Sequence, residues 1–127
     1  MTGTEGGQHL RLGRLGENLA GWYLRLHGYR LLGRNVRLPT GEIDLVAVQG
    51  EILVFCEVKT RRHRGCGTAA EAVDERKQLR LARLAEEYLQ RHPAFRESAC
   101  RFDVVVVYRE GLFWRVEVIA DAFRPGW

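Results

Sequence analysis

The sequence lacks the cysteine pattern of a stapled domain. It contains three scattered cysteines, Cys56, Cys66 and Cys100, with no CxxC pair and no histidine at zinc-ligand spacing. We therefore expect neither a structural zinc site nor a disulfide framework. At 127 residues the chain is still long enough to bury one hydrophobic core without such staples.

Long apolar runs are also missing. No stretch approaches the ~20 residues of a membrane-spanning helix, and the opening segment lacks the apolar part of a signal peptide. We expect a cytoplasmic protein with no membrane partner. Residues 1–9 are rich in glycine and polar residues, so we expect a loose N-terminal arm there. Because no internal repeat, low-complexity segment or linker is present, we expect a single domain over residues 10–127.

The composition is that of a globular protein. Hydrophobic residues make up 46% and charged residues 28%, which argues against a disordered or fibrous chain. The net charge of +4 at pH 7 is a modest excess that fits a polyanionic partner and is also common in proteins that bind none. The segment from Lys59 to Arg64 concentrates this charge, since it reads KTRRHR.

The periodicity of the apolar residues predicts the order α-β-β-β-α-β-β. The helices are predicted over about 11–27 and 69–91, and the strands over 30–38, 42–48, 51–59, 101–108 and 112–119. The first helix has an apolar stripe of Leu12, Leu15, Leu19, Trp22, Tyr23 and Leu26. The third strand is apolar on both faces, so it should lie centrally in a mixed sheet flanked by helices, an α/β fold. Trp22, Phe113 and Trp114 are interpreted as core or interface residues.

Three charged residues stand within or at the ends of the second and third strands. If Gln49-Gly50 is a two-residue hairpin loop, Asp44 lies opposite Phe55 and one diagonal step from Glu57. Residues two apart on a strand share a face, so Asp44, Glu57 and Lys59 are predicted to project to one side of the sheet.

Two converging carboxylates and one amine suit phosphate chemistry. Asp44 and Glu57 could hold Mg²⁺ or Mn²⁺, which would polarise a scissile phosphate and activate water. The ammonium of Lys59 could orient that water or stabilise developing negative charge. The alternative is structural: Glu57 and Lys59 would form an ion pair at a strand end, and Asp44 would be a solvated residue near a turn.

The segments GRLGENLA, GEIDLVA, EVKTR, AEAVDERKQ and RFDVVVV, in that order, resemble the YraN-like family of uncharacterised bacterial proteins. Gly41 to Asp44, followed by Glu57 to Arg61, is similar to the D…ExK signature of the PD-(D/E)XK nuclease superfamily. The resemblance implies a restriction-endonuclease-like αβββαβ core, close to that of Holliday-junction resolvases. It further implies that Asp44 and Glu57 are metal ligands, Lys59 the catalytic lysine and Glu17 an additional acidic ligand.

Three helical residues are weaker candidates. Glu17 lies beside Gly13, Ala20 and Gly21, a small-residue face that suggests close approach of another element or a ligand, although an exposed helical glutamate is ordinary. Lys77 falls on the sheet-facing arc of the second helix. It would either contact phosphate near the site or extend to water. Gln78, at the edge of that arc, could hydrogen-bond near the site.

The basic loop after Lys59 is the remaining candidate. Arg61, Arg62 and Arg64 would lie at the mouth of the site and contact phosphates, unless the loop is merely solvated. Here the chain departs from the family pattern, because Gly65-Cys66-Gly67 stands where Arg-Phe-Gly is common. An aromatic side chain is therefore missing at this point.

The leading hypothesis is a Mg²⁺- or Mn²⁺-dependent endonuclease that hydrolyses DNA phosphodiester bonds, including those of branched or damaged DNA. One alternative is a nucleic-acid-binding module on the same fold without nuclease activity. A second alternative is a protein-interaction module. A homodimer would suit cleavage of two strands, but no residue in the sequence identifies a two-fold interface.

Overall fold

The computed structural model describes the backbone over residues 2–62 and 73–125 and the side chains over residues 13–62 and 73–125. The order of helices and strands is the predicted one. The helices are α1 (Thr2–Leu26) and α2 (Glu75–Arg91), and the strands are β1 (Arg30–Leu38), β2 (Gly41–Gln49), β3 (Ile52–Arg61), β4 (Cys100–Glu110) and β5 (Phe113–Phe123). A 3-10 turn, Pro93–Phe95, follows α2.

The five strands form one sheet in the order β1-β2-β3-β4-β5. β1, β2 and β3 pair antiparallel, β3 and β4 pair parallel, and β5 returns antiparallel to β4. A parallel pair needs a crossover, and α2 supplies it. The mixed sheet with two helices confirms the predicted α/β class and is consistent with a restriction-endonuclease-like core.

β3 is the central strand and is covered on both faces, as predicted. Val54 and Cys56 pack with Leu24 of α1 on one side. Leu53 and Phe55 pack with residues of α2 on the other, Leu81, Leu84, Ala85 and Tyr88. Burial on both faces explains why β3 is nearly continuous in apolar residues.

The contact face of α1 differs from the predicted one. Trp22 and Leu26 are 68% and 82% exposed, whereas the small residues Ala20 and Gly21 are buried with Leu24. Small side chains allow the helix axis to lie close to the sheet. Leu15, Trp22 and Leu26 of the predicted stripe are turned away from it, whereas Leu19 packs partly against the core. Trp22 is therefore not a core residue. Phe113 is not one either, being 72% exposed, whereas Trp114 packs partly against the core on the α1 side.

The helix boundaries also differ from the predicted ones. α1 begins at Thr2, before the predicted start near residue 11. α2 begins at Glu75, because the Asp74 carboxylate accepts a hydrogen bond from the Lys77 backbone N–H at 2.9 Å and caps the helix. Within the described residues no helix is both long and apolar enough to cross a membrane.

The β2-β3 hairpin has a different register from the predicted one. Val46, rather than Asp44, pairs with Phe55, and the loop consists of Gly50 and Glu51. Gly50 takes a φ of +61°, which fits the first position of a type II′ turn and favours glycine. The displacement is two residues, so it leaves the inward and outward faces of the strands unchanged.

A buried carboxylate ties β4 to its neighbours. Asp103 is fully buried and accepts hydrogen bonds from Arg101 Nε at 2.8 Å, Tyr29 Oη at 3.2 Å and the Asp121 backbone N–H at 3.0 Å. Among the described residues, no buried side-chain nitrogen or oxygen lacks a partner. The cluster joins the start of β1 to β4 and to the irregular end of β5.

Candidate active site

The site forms where β2 parts from β3. The ladder between these strands begins at Leu45 and Cys56, and Asp44 lies just beyond it. Ile43 packs on the α2 side and Leu45 on the α1 side, although residues two apart on a regular strand share a face. The strand is therefore irregular at Asp44. Asp44 Oδ2 accepts a hydrogen bond from the Val58 backbone N–H at 2.8 Å, where a backbone partner would otherwise stand.

Glu57 and Lys59 face α2. An Oε1 atom of Glu57 lies 3.9 Å from Nη2 of Arg80, and the Glu57 side chain is only 14% exposed. Lys77 lies close enough to Lys59 to lower the pKa of its side chain. The site is thus built from the ends of two strands and the first turns of one helix.

The charges of Asp44 and Glu57 repel each other. Burial, followed by the negative charge of Glu57, raises the pKa of Asp44 to about 7, even though the Val58 N–H favours the carboxylate. Asp44 therefore exchanges its proton near neutral pH. A cation between the two groups would remove the repulsion and restore the ionised form of Asp44.

The sequence contains two lysines, Lys59 and Lys77, and the fold brings them together. Contact with Lys77 and partial burial lower the pKa of Lys59, while the carboxylates of Glu57 and Asp44 oppose this effect. Arginine remains protonated under all ordinary conditions, whereas the pKa of lysine responds to such surroundings. The one pair of titratable amines therefore stands beside the carboxylate pair.

Glu17 lies near this site on α1. Its negative charge makes a smaller contribution to the raised pKa of Asp44. In the part of the chain that the structure describes, no three His, Cys, Asp or Glu side chains are grouped closely enough to hold a metal ion. The role of Glu17 as a third metal ligand stays a prediction.

The remaining predicted nucleic-acid-binding residues are Gln78, Arg61, Arg62 and Arg64. Gln78 donates its side-chain amide to the Val73 carbonyl at 3.1 Å, so part of this group supports the start of α2. Arg61 ends β3 and is partly buried, and Arg62 follows it, exposed. Arg64 lies outside the described residues.

Arg80 is a site residue that sequence reasoning missed. The Asp74-Glu75 pair is a recognisable helix start, and it would have fixed the position of α2 along the chain. With that start, Arg80 falls one turn after Lys77 and one turn before Leu84. Its contact with Glu57 depends on how α2 crosses the sheet, which helical spacing does not give.

Comparison with known proteins identifies the family of this chain. The uncharacterised protein family UPF0102 matches residues 16–107. The chain belongs to this family. The matched range holds Glu17, Asp44, Glu57, Lys59 and Lys77, and it confirms the YraN-like resemblance seen in the sequence motifs.

Two relatives show how much of the chain is shared. A UPF0102 protein of Magnetococcus marinus is 45% identical over 115 residues, covering 91% of this chain and 93% of its own length. One from Moorella thermoacetica is 51% identical over 115 residues, covering 89% and 95%. The similarity therefore extends over nearly the whole of both proteins.

Proposed function

We propose that this UPF0102 protein is a metal-dependent endonuclease that hydrolyses phosphodiester bonds of DNA. The observation that carries the proposal is the carboxylate pair, in which burial and then the negative charge of Glu57 raise the pKa of Asp44, beside Lys59 and Lys77. Asp44 and Glu57 repel each other but are held close together where β2 and β3 separate. Such a pair of carboxylates is suited to share a cation. The YraN-like motifs support the same assignment.

Asp44 and Glu57 would hold the ion, with Glu17 as a further acidic ligand. Oxygen ligands favour Mg²⁺ or Mn²⁺, and either ion would supply Lewis-acid polarisation of a scissile phosphate. Two protein carboxylates are a typical set for Mg²⁺, which keeps several waters and binds substrate phosphates. The residues present therefore fit such an ion without a third close carboxylate.

Lys59 would act on the reacting phosphate itself. Its ammonium stabilises the negative charge that develops as water attacks phosphorus and the bond to the leaving oxygen breaks. Lys77, next to it, adds a second positive charge and lowers the pKa of Lys59. No covalent intermediate is needed, because water is the nucleophile.

DNA is the proposed substrate class, in branched or damaged form. The exposed Arg62 and the partly buried Arg61 follow Lys59 at the end of β3, and phosphate contacts of this kind position a strand without reading its sequence. A homodimer would present two such sites to two strands, and sedimentation velocity tests it.

A binding module without turnover is the second candidate. It is favoured by the Arg80-Glu57 contact, in which a protein cation already partners one of the two carboxylates. Salt-dependent DNA binding in the absence of cleavage would support this reading.

Cleavage assays distinguish the endonuclease from the binding module without turnover. Wild type, Asp44→Asn, Glu57→Gln and Lys59→Met would be incubated with branched, single-stranded and double-stranded DNA and Mg²⁺ or Mn²⁺. Glu51→Gln, an exposed acid at the opposite end of the same hairpin, is the matched control. We expect wild type and the control to cleave and the three site variants to lose at least about 100-fold in rate. If wild type cleaves no substrate, or the site variants match the control, the nuclease proposal fails.

A further inference from the structure

A groove of about 980 Å³ runs along α2 from Asp74 to Glu87. Arg76, Arg80 and Arg83 line it and share one helical face, since they are separated by four and three residues. At 1.5 Å per residue the row is about 10 Å long, close to the rise of about three nucleotides in one strand of a duplex. All three side chains are exposed.

The acidic residues of the groove are mostly engaged by other groups. Asp74 caps α2, and Glu87 accepts a hydrogen bond from the Thr40 hydroxyl and lies 3.7 Å from Arg91. Glu75 is the remaining acid of the groove lining. The groove lining therefore holds four cations, the three arginines and Lys77, against three acids, and this positive excess suits a polyanion.

Arg80 belongs both to this groove and to the carboxylate site. Its side chain is 61% exposed, and its Nη2 atom reaches Glu57 at 3.9 Å, the outer limit of an ion pair. Exposed pairs of this length are weak and easily exchanged. A phosphate, which a guanidinium binds through two parallel hydrogen bonds, is the stronger partner.

We propose that the α2 groove binds the phosphate backbone of a nucleic-acid strand, and that Arg80 couples this binding to the metal site. Without a strand, Arg80 partners Glu57. When a phosphate takes Arg80, Glu57 is released to bind the divalent cation. The coupling rests on the proposed nuclease function, whereas strand binding by the groove does not.

Reciprocity follows from this arrangement. If the strand raises the affinity for metal, the metal raises the affinity for the strand by the same factor. Arg80 competes with the metal for Glu57, so removing the guanidinium should tighten metal binding in the absence of DNA. Arg76 lies on the same face about one turn before Arg80 and serves as the matched control.

The groove is tested by strand binding in EDTA, which excludes turnover. Fluorescence anisotropy of a labelled oligothymidylate would compare wild type with Arg76→Gln/Arg83→Gln at several salt concentrations. Arg30→Gln/Arg96→Gln removes the same charge from exposed positions at the start of β1 and after α2. We expect the groove pair to weaken binding and to reduce the salt slope by about 1.4, at about 0.7 per lost contact. Equal losses in both double variants would overturn the groove.

The coupling is tested by Mn²⁺ binding, read from the electron paramagnetic resonance signal of free Mn²⁺. A Lys59→Met background suppresses the proposed turnover, so the oligothymidylate stays intact. We expect Arg80→Gln in this background to tighten Mn²⁺ binding about fivefold without DNA, and to reduce the further tightening that DNA causes. The coupling is refuted if Arg80→Gln and Arg76→Gln bind Mn²⁺ alike.

The outcomes separate the groove from the nuclease. If wild type cleaves DNA but Arg76→Gln/Arg83→Gln binds the strand as Arg30→Gln/Arg96→Gln does, the nuclease proposal stands and the groove proposal is wrong. Conversely, if Asp44→Asn and Glu57→Gln leave Mn²⁺ binding unchanged, the metal site and the coupling are wrong. A loss of strand binding that is specific to Arg76→Gln/Arg83→Gln would still support the groove.

Discussion

Lys59 and Lys77 offer a direct measurement at the residue scale. Because the chain has no other lysine, reductive ¹³C-methylation labels these two side chains and the α-amino group alone. We expect the pKa of Lys59 to lie below its ordinary value of 10.5, because Lys77 and partial burial disfavour the charged form. Nuclear magnetic resonance titration of the methyl signals measures it.

Lys77→Gln both assigns the signals and tests the cause. It should move the pKa of Lys59 back towards 10.5, since it removes the neighbouring positive charge. Arg83→Gln removes a charge from the same helix and should leave Lys59 unchanged. If both variants give the same shift, general electrostatics rather than the Lys59-Lys77 contact sets the pKa.

The Asp103 cluster gives a second prediction for a single residue. Arg101→Met removes two hydrogen bonds, of 2.8 and 2.9 Å, from a carboxylate that is fully buried. Stranding a buried charge in this way should lower the free energy of unfolding by about 3 to 5 kcal/mol, measured by urea denaturation. Adding Asp103→Asn should recover part of the loss, because the neutral amide is cheaper to bury. A double variant less stable than Arg101→Met would contradict this account.

At the scale of elements, the contact between α1 and β3 depends on one glycine. A Cβ atom at Gly16 would lie 1.9 Å from Thr60 Oγ1, 3.0 Å from its Cβ and 3.1 Å from its Cγ2. Rotating the threonine side chain does not clear this space, because both branches and their common carbon are close. Gly16 therefore sets the distance at which α1 lies on β3 and the position of the neighbouring Glu17.

Gly16→Ala should destabilise the protein although alanine favours helix. The helix preference contributes about 1 kcal/mol, and overpacking costs about 1 to 3 kcal/mol, so we expect a net loss of up to about 2 kcal/mol in urea denaturation. Gly13→Ala is the control. Nothing lies within 4 Å of its added Cβ, so that variant should gain stability. Thr60→Ala should partly rescue Gly16→Ala, and a Gly16→Ala variant as stable as Gly13→Ala would disprove the close contact.

The same small-residue face explains why the contact face of α1 was not predicted correctly. Hydrophobic periodicity selected Leu15, Trp22 and Leu26, but these side chains are exposed. The helix instead presents Gly16, Ala20 and Gly21, whose value lies in allowing close approach rather than in hydrophobic area. A periodicity argument weighs side-chain hydrophobicity and therefore overlooks this kind of contact.

For the whole molecule, the carboxylate pair predicts how metal-free stability depends on pH. The pKa of Asp44 is raised to about 7 in the folded state, against 3.8 as the ordinary value. The folded protein then binds more protons than the unfolded chain between these values. The contribution of Asp44 to the free energy of unfolding is therefore fully present below about pH 4 and falls as the pH rises to about 7.

Asp44→Asn should remove this dependence. We expect wild type in EDTA to lose about 2 to 4 kcal/mol more than the variant between pH 4 and 8, judged by urea denaturation at each pH. The asparagine keeps an oxygen acceptor for the Val58 N–H. Glu51→Gln should retain the wild-type slope. Parallel curves for wild type and Asp44→Asn would show that Asp44 is not perturbed.

The sequence by itself determined the order of elements and the central place of β3, and it predicted that Asp44, Glu57 and Lys59 lie close together. The order of elements and the place of β3 follow from local periodicity, and an error of two residues in the hairpin register does not change the faces of the regularly paired part of the hairpin. Asp44 lies beyond that part, where the strand is irregular. The sequence also indicates Lys77 as a candidate, because a lysine on a sheet-facing arc is out of place.

Only the tertiary structure decided which face of α1 meets the sheet, where β2 parts from β3, and that Arg80 reaches Glu57. Each depends on distances between elements far apart in the chain, and the identity of a residue or its spacing along one element does not fix those distances. The raised pKa of Asp44 belongs to the same class, since burial and the charge of Glu57 act only once the strands are paired.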